Sequence, residues 1–157
     1  MPIVERSVEI RAPREALFDL AQDYYVRREW DPFTREMRFL DGAAEAAPGV
    51  RVRVRAWNGL AMEVEYVTVK RPERVAVRIT RGPFLFENFA GSWVFYDVGG
   101  GATRVVFRYG FRTRWSWLRP ALDPVVSAVF GRDVAARVRG LKRAAEETDV
   151  LRRLAAR

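Results

Sequence analysis

The chain has 157 residues, about half of them hydrophobic, which fits one domain of ordinary size, residues 1–157, with a substantial core. It contains no cysteine and no histidine. This excludes disulfides, thiolate chemistry, a Ser-His-Asp triad within the chain and the usual zinc sites. The formal charge is +8, yet Lys70 and Lys142 are the only lysines, and the arginines are spread along the whole chain. That distribution reads first as a compositional habit and only second as a basic surface for a partner.

No apolar run approaches the ~20 residues of a membrane span. The start, Met1 to Arg6, lacks a basic segment followed by an apolar one, so a cytoplasmic location is the expectation. Ile3 to Arg11 alternate, with Val4, Val8 and Ile10 on one face and Glu5, Ser7 and Glu9 on the other, as in a half-buried strand. Ala12-Pro13 ends it and opens a helix whose apolar side holds Leu17, Phe18, Leu20 and Ala21. A second short helix is expected over Tyr24 to Glu29, stopping at Trp30-Asp31-Pro32 because a residue before proline avoids the helical region.

Thr34 to Leu40 reads as a short strand, and Asp41 to Gly49 as a loop. Val50 to Trp57 sets valines against Arg51, Arg53 and Arg55; Ala61 to Lys70 sets Met62, Val64 and Tyr66 against Glu63 and Glu65. A three-residue loop of Trp57, Asn58 and Gly59, with Gly59 left-handed, satisfies turn chemistry, burial and charge together. It pairs Val54 with Met62, Val52 with Val64, Arg53 with Glu63 and Arg51 with Glu65.

After the turn Arg71-Pro72-Glu73 comes a strand marked by Val75, Val77 and Ile79, closed by Gly82-Pro83. Two long strands follow, Phe84 to Asp97 and Thr103 to Thr113, around Gly99-Gly100-Gly101. The aromatic phase predicts Phe95 opposite Val105, Trp93 opposite Phe107, and Tyr109 over the bare backbone of Gly91. Asp123-Pro124 reads as the start of a long helix. Its buried stripe is Val126, Phe130, Val134, Val138, Leu141, Ala145 and Thr148, with Arg132, Arg137, Arg139 and Arg143 mostly off it. If it runs to about Leu154, it is about 45 Å long.

These elements define an α+β class: a curved antiparallel sheet of about seven strands around a long C-terminal helix, with two short helices after the first strand. A sheet with one apolar face must cover it, and the last helix is the only element long enough. Space between the two is where a ligand would sit.

The order and its punctuation resemble the START-like (SRPBCC) superfamily of polyketide cyclases/dehydrases and lipid-transport proteins, with its helix-grip fold. The matching residues are Ser7 to Leu20 for the opening strand, Ala-Pro and helix; Trp30-Asp31-Pro32; Pro72-Glu73-Arg74; Gly91 to Phe95 with the glycine turn and Thr103; and Leu141-Lys142-Arg143 near the end of the last helix. They cover nearly the whole chain and are specific for fold more than for function. The resemblance implies binding of lipids, sterols, polyketides, quinones or plant hormones. No residue set here equates with a known catalytic set. It also implies that the first and last strands are neighbours, which would set Glu5 and Glu9 against Arg104, Arg108 and Arg112.

The candidate ligand-binding residues are Trp30, Met62, Tyr66, Glu87, Phe89, Trp93, Phe95, Phe107, Tyr109, Phe111, Phe130 and Val134. Tyr66 and Tyr109 could hydrogen-bond a ligand carbonyl, or be core tyrosines satisfied locally. Arg6 and Glu87 share the phase of inward apolar residues and could recognise an acidic or phenolic ligand, act as acid and base, or sit at strand ends and reach solvent. Asp23, Arg27, Arg28, Glu29 and Asp31 read as solvated surface, and Trp30 and Trp57 as packing residues first. No metal or cofactor is expected. Three functions stay open: carriage of a hydrophobic small molecule, polyketide cyclase/aromatase-type catalysis in the same cavity without metal, histidine or cysteine, and a basic module for a membrane or nucleic-acid surface, nucleic acid being the less favoured.

Overall fold

The computed structural model describes all 157 residues. β1 (Ile3–Ile10) leads into α1 (Arg14–Gln22) and the single turn of α2 (Arg27–Trp30). Then come β2 (Thr34–Phe39), β3 (Arg51–Ala56), β4 (Ala61–Lys70), β5 (Arg74–Arg81), β6 (Phe86–Gly99) and β7 (Ala102–Thr113). A 3-10 turn at Ser116–Leu118 precedes α3 (Arg119–Glu147) and the short α4 (Val150–Ala155). One seven-stranded sheet has the order β1-β7-β6-β5-β4-β3-β2, antiparallel throughout, and α3 lies across β1 and β7. No helix is long and apolar enough to cross a membrane.

The register follows burial. In the β3–β4 hairpin Val54 pairs with Met62, Val52 with Val64, Arg53 with Glu63 and Arg51 with Glu65. The loop is the three-residue one: Ala56 N–H donates to Leu60 O at 2.8 Å, and Gly59 takes φ +87°. The charges meet less directly than the register suggests. Arg51 pairs with Asp41 at 2.9 Å and diagonally with Glu63 at 3.9 Å, while Glu65 takes Arg78 at 3.4 Å. In the last hairpin Phe95 stands opposite Val105, Trp93 opposite Phe107 and Gly91 opposite Tyr109. Trp93 and Phe107 stack with centroids 3.9 Å apart, and a Cβ on Gly91 would touch the Tyr109 ring at 3.4 Å. Glu5 lies opposite Arg108 and Glu9 opposite Arg104; Arg108 Nε donates to Glu5 at 2.6 Å, whereas Arg104 lies over the Tyr96 ring.

Three readings are corrected. α3 does not begin at Asp123-Pro124: it starts at Arg119, encloses Pro124, and Asp123 accepts a hydrogen bond from the Thr113 hydroxyl at 3.0 Å. It also stops short of Leu154, because the extended Thr148 turns its hydroxyl back onto Ala144 O at 2.6 Å. The second helix is shorter than expected, a turn at Tyr24 to Val26 giving way to α2 only at Arg27.

α2 lies close against α3. A Cβ on Gly140 would fall well inside the van der Waals radius of the Trp30 carbonyl oxygen, a backbone atom that cannot swing away. Within a helix, Gly→Ala ordinarily gains about 1 kcal/mol. Gly140→Ala should instead destabilise by about 1–3 kcal/mol, the range of core overpacking. Gly131→Ala on the same helix meets only the flexible tip of Arg6 and should be neutral or stabilising. Urea denaturation of both variants checks this; equal behaviour would mean that α2 is not clamped on Gly140.

Candidate functional site: a cavity with two polar stations

The concave face of the sheet and α3 enclose a cavity of about 540 Å³. Twenty of its thirty lining residues are hydrophobic, so it solvates an apolar body. Strand residues Met62, Val64, Val77 and Ile79 form one wall, Phe89, Trp93, Phe107 and Tyr109 another, and Val129, Phe130 and Ala136 of α3 the roof. At the mouth stand Trp57, Leu60 and Val129, exposed at 66%, 50% and 58%.

Of the twelve candidates, Met62, Tyr66, Phe89, Trp93, Phe107, Tyr109 and Phe130 line the cavity. Trp30, Phe95, Phe111 and Val134 are buried in the packing beside it without reaching it. Glu87 is exposed on the far side of its strand and pairs with Arg119 at 3.3 Å. A β-bulge between Phe86 and Asn88 resets the alternation, so Phe86 takes the inward place that simple alternation gives Glu87. Arg6 is exposed as well, on the edge strand β1, with Nη1 donating to Glu5 O at 2.8 Å. Trp57, read as a packing residue, is instead an exposed part of the rim.

Two polar stations interrupt the apolar lining. At the first, Tyr24 and Tyr66 hydroxyls lie 2.5 Å apart, and Tyr66 donates on to Gln22 Oε1 at 3.3 Å. Burial raises both phenols above the ordinary tyrosine value, Tyr24 strongly, so both stay protonated.

The second station lies where the sequence pattern suggests solvated surface, and it is the most buried charge in the molecule. Asp31, Arg27 and Arg137 are 3%, 4% and 6% exposed. Asp31 Oδ2 accepts from Arg27 Nε at 2.7 Å, Arg137 Nη2 at 3.0 Å and the Thr34 hydroxyl at 3.0 Å, while Oδ1 accepts from Phe33 N–H at 3.0 Å. Arg137 Nη1 also donates to the Tyr109 hydroxyl, which donates to Asp133 Oδ2 at 3.1 Å. Arg27 and Asp31 are four residues apart on one turn, and Arg137 falls between Val134 and Leu141 in the phase of the buried stripe. That spacing is the available signal. The assumption that arginine is exposed masks it.

Burial alone would push the Asp31 carboxyl up, but the guanidiniums of Arg137 and Arg27 and the four donors hold it well below the carboxylate range. At Asp133 burial prevails over Arg137 and Tyr109 and raises the carboxyl. Tyr109 is raised by burial too. The lining thus offers fixed cations, neutral phenols and one carboxyl with elevated proton affinity.

The fold is of the START-like helix-grip type, an antiparallel sheet folded about a long helix with a mostly apolar cavity between them. The sequence agrees: the family model for polyketide cyclase / dehydrase and lipid transport matches residues 1–146, and the chain belongs to that family. Among solved structures it is similar to a Mycobacterium smegmatis START superfamily protein, with a TM-score of 0.76 at 13% identity over 92% of this chain and 97% of that one. A Thermus thermophilus protein gives 0.74 at 21% identity over 92% and 97%. An aromatase/cyclase from Streptomyces sp. R1128 gives 0.69 at 19% identity over 91% and 94%. A search of curated proteins finds no match.

Removing Asp31 leaves two buried guanidiniums without their shared counter-charge. Asp31→Asn should cost about 3–5 kcal/mol at about pH 7, measured by chemical denaturation. Because the folded carboxyl ionises below the ordinary value of 3.8, its stabilisation is complete above that value and is lost as pH falls through the lower folded one. The gap between wild type and variant should therefore narrow below about pH 4. A gap constant across the acid range would show that Asp31 is not the ionised counter-charge.

Proposed function

We propose that this protein binds and carries a hydrophobic, oxygen-bearing small molecule of the lipid, polyketide or quinone kind in its cavity. The carrying observation is the cavity itself, about 540 Å³ of mostly apolar lining broken by two hydrogen-bonding stations. That is the usual make-up of a small-molecule site: apolar surface for affinity, a few polar groups for orientation. The exposed Trp57, Leu60 and Val129 at the mouth suit ligand entry and transient contact with a membrane surface. Action in the cytoplasm is part of this reading.

A second reading, cyclase-type chemistry in the same cavity, is favoured by one observation. Asp133 combines raised proton affinity with a place on the cavity wall beside Tyr109 and Arg137. In a chain without histidine, that is the group best suited to accept and return a proton.

Native mass spectrometry of the purified protein should detect a co-purified apolar ligand, and added polycyclic aromatic ketones should quench tryptophan fluorescence, since Trp93 lies on the wall. Val77→Trp fills the cavity from the sheet side and should weaken binding by about tenfold or more, with stability changed by no more than about 1 kcal/mol. Ligand recovered unchanged supports carriage, and turnover supports the second reading. Binding unaffected by Val77→Trp would place the ligand elsewhere.

A further inference from the structure

The second polar station contains more positive charge than its buried counter-charge offsets. Arg27 and Arg137 both bind the same oxygen of Asp31, so their head groups lie no further apart than two hydrogen bonds in series. Asp31 is saturated: its two oxygens accept four hydrogen bonds, and its side chain is fully buried. Arg137 spends its remaining reach on Tyr109, with Asp133 3.8 Å away as a second, partial partner. Arg27 has no second carboxylate. Its Nε goes to Asp31 and its Nη1 to Ala21 O, which leaves Nη2 without a hydrogen bond in the chain. Arg27 nonetheless belongs to the cavity lining, its guanidinium held over the Trp30 and Trp93 rings at 4.7 and 5.7 Å.

A cation fixed on an apolar wall, with free N–H groups and no protein partner for them, is a receptor for an anionic oxygen. Resting on the small-molecule reading above, we propose that the cavity selects ligands with an acidic oxygen head, a carboxylate or an acidic phenol or enol, seated on Arg27 Nη2 with the apolar body toward Met62, Val64 and Ile79. Asp31 fixes Arg27 in place as a positioning residue. Asp133 opposes the same head through its own carboxyl and sets the limit of the preference.

The sign of discrimination makes this testable. An apolar cavity without a cation rejects a carboxylate in favour of its ester, because burying an unpaired charge costs far more than burying the ester. The probes are anthracene-2-carboxylate and its methyl ester, titrated by ring fluorescence against the whole chain. Wild type should bind the acid at least about tenfold tighter than the ester. Arg27→Gln should erase or reverse that preference, weakening the acid by about tenfold or more relative to the ester. Asp133→Asn, which keeps an acceptor for Tyr109, should tighten the acid alone. An ester bound as tightly as the acid, or Arg27→Gln weakening both equally, overturns the inference and leaves the carrier reading standing. If neither probe binds, both fall. Should Arg27→Gln fail to fold, the matched pair on wild type and Asp133→Asn decide the matter.

Discussion

One buried carboxylate organises this protein. Asp31 receives a side chain from α2, a backbone N–H and a hydroxyl from the entry to β2, and a guanidinium from the middle of α3. Two cations on one anion are tolerable in a dry interior only if that anion is fully engaged, and aiming four donors at Asp31 fixes three segments at once. The close seating of Trp30 on Gly140 follows from the same constraint, because α2 is only one turn long and has little apolar surface of its own. In this way a four-residue helix, too short to be stable alone, becomes a rigid corner of the cavity.

The cavity exists because the sheet curves and the helix does not follow it. α3 packs on β1 and β7, and Val134, Val138 and Leu141 there are almost completely excluded from water. Toward β5, β4, β3 and β2 the sheet turns away from the helix, and its inward residues Met37, Met62, Val77 and Ile79 remain only partly covered. Close packing is the norm in protein interiors, so apolar surface left facing a void is stabilisation forgone. The aromatic wall limits that loss. Phe89, Tyr109, Phe130 and Phe86 lie at centroid separations of 4.9 to 5.9 Å, most of them edge-on or tilted, and hold their shape without a filler.

What the sequence disclosed depended on how many independent signals agreed. The β3–β4 register was legible because valine alternation, opposed charges and a left-handed Gly59 all required the same pairing. The β6–β7 register was legible because any slip by one would have turned Trp93, Phe95, Phe107 and Tyr109 to solvent together. Glu87 was misplaced because a bulge changes the phase by one residue and leaves no mark in the local composition. Arg27, Asp31 and Arg137 were misplaced for a different reason. A charged residue is buried only when a partner is supplied from elsewhere, and here Asp31 and Arg137 are 106 residues apart. Spacing can place Arg137 on the buried stripe, but no local pattern tells that an aspartate near the start of the chain is waiting for it.

The pairing of β1 with β7 bears on how the molecule comes into being. Ile3 lies opposite Gly110, so β1 acquires its one neighbour only after β2 to β7 have all been made. Until then Val4, Val8 and Ile10 have no sheet to join, and the middle strands can zip together hairpin by hairpin without them. Such long loop closures slow the final step and are compensated only once the whole sheet is present. The pocket, bounded by α2 near the beginning and α3 near the end, is thus absent from every partial chain. A nascent protein has nowhere to hold a ligand until α3 has been synthesised and docked.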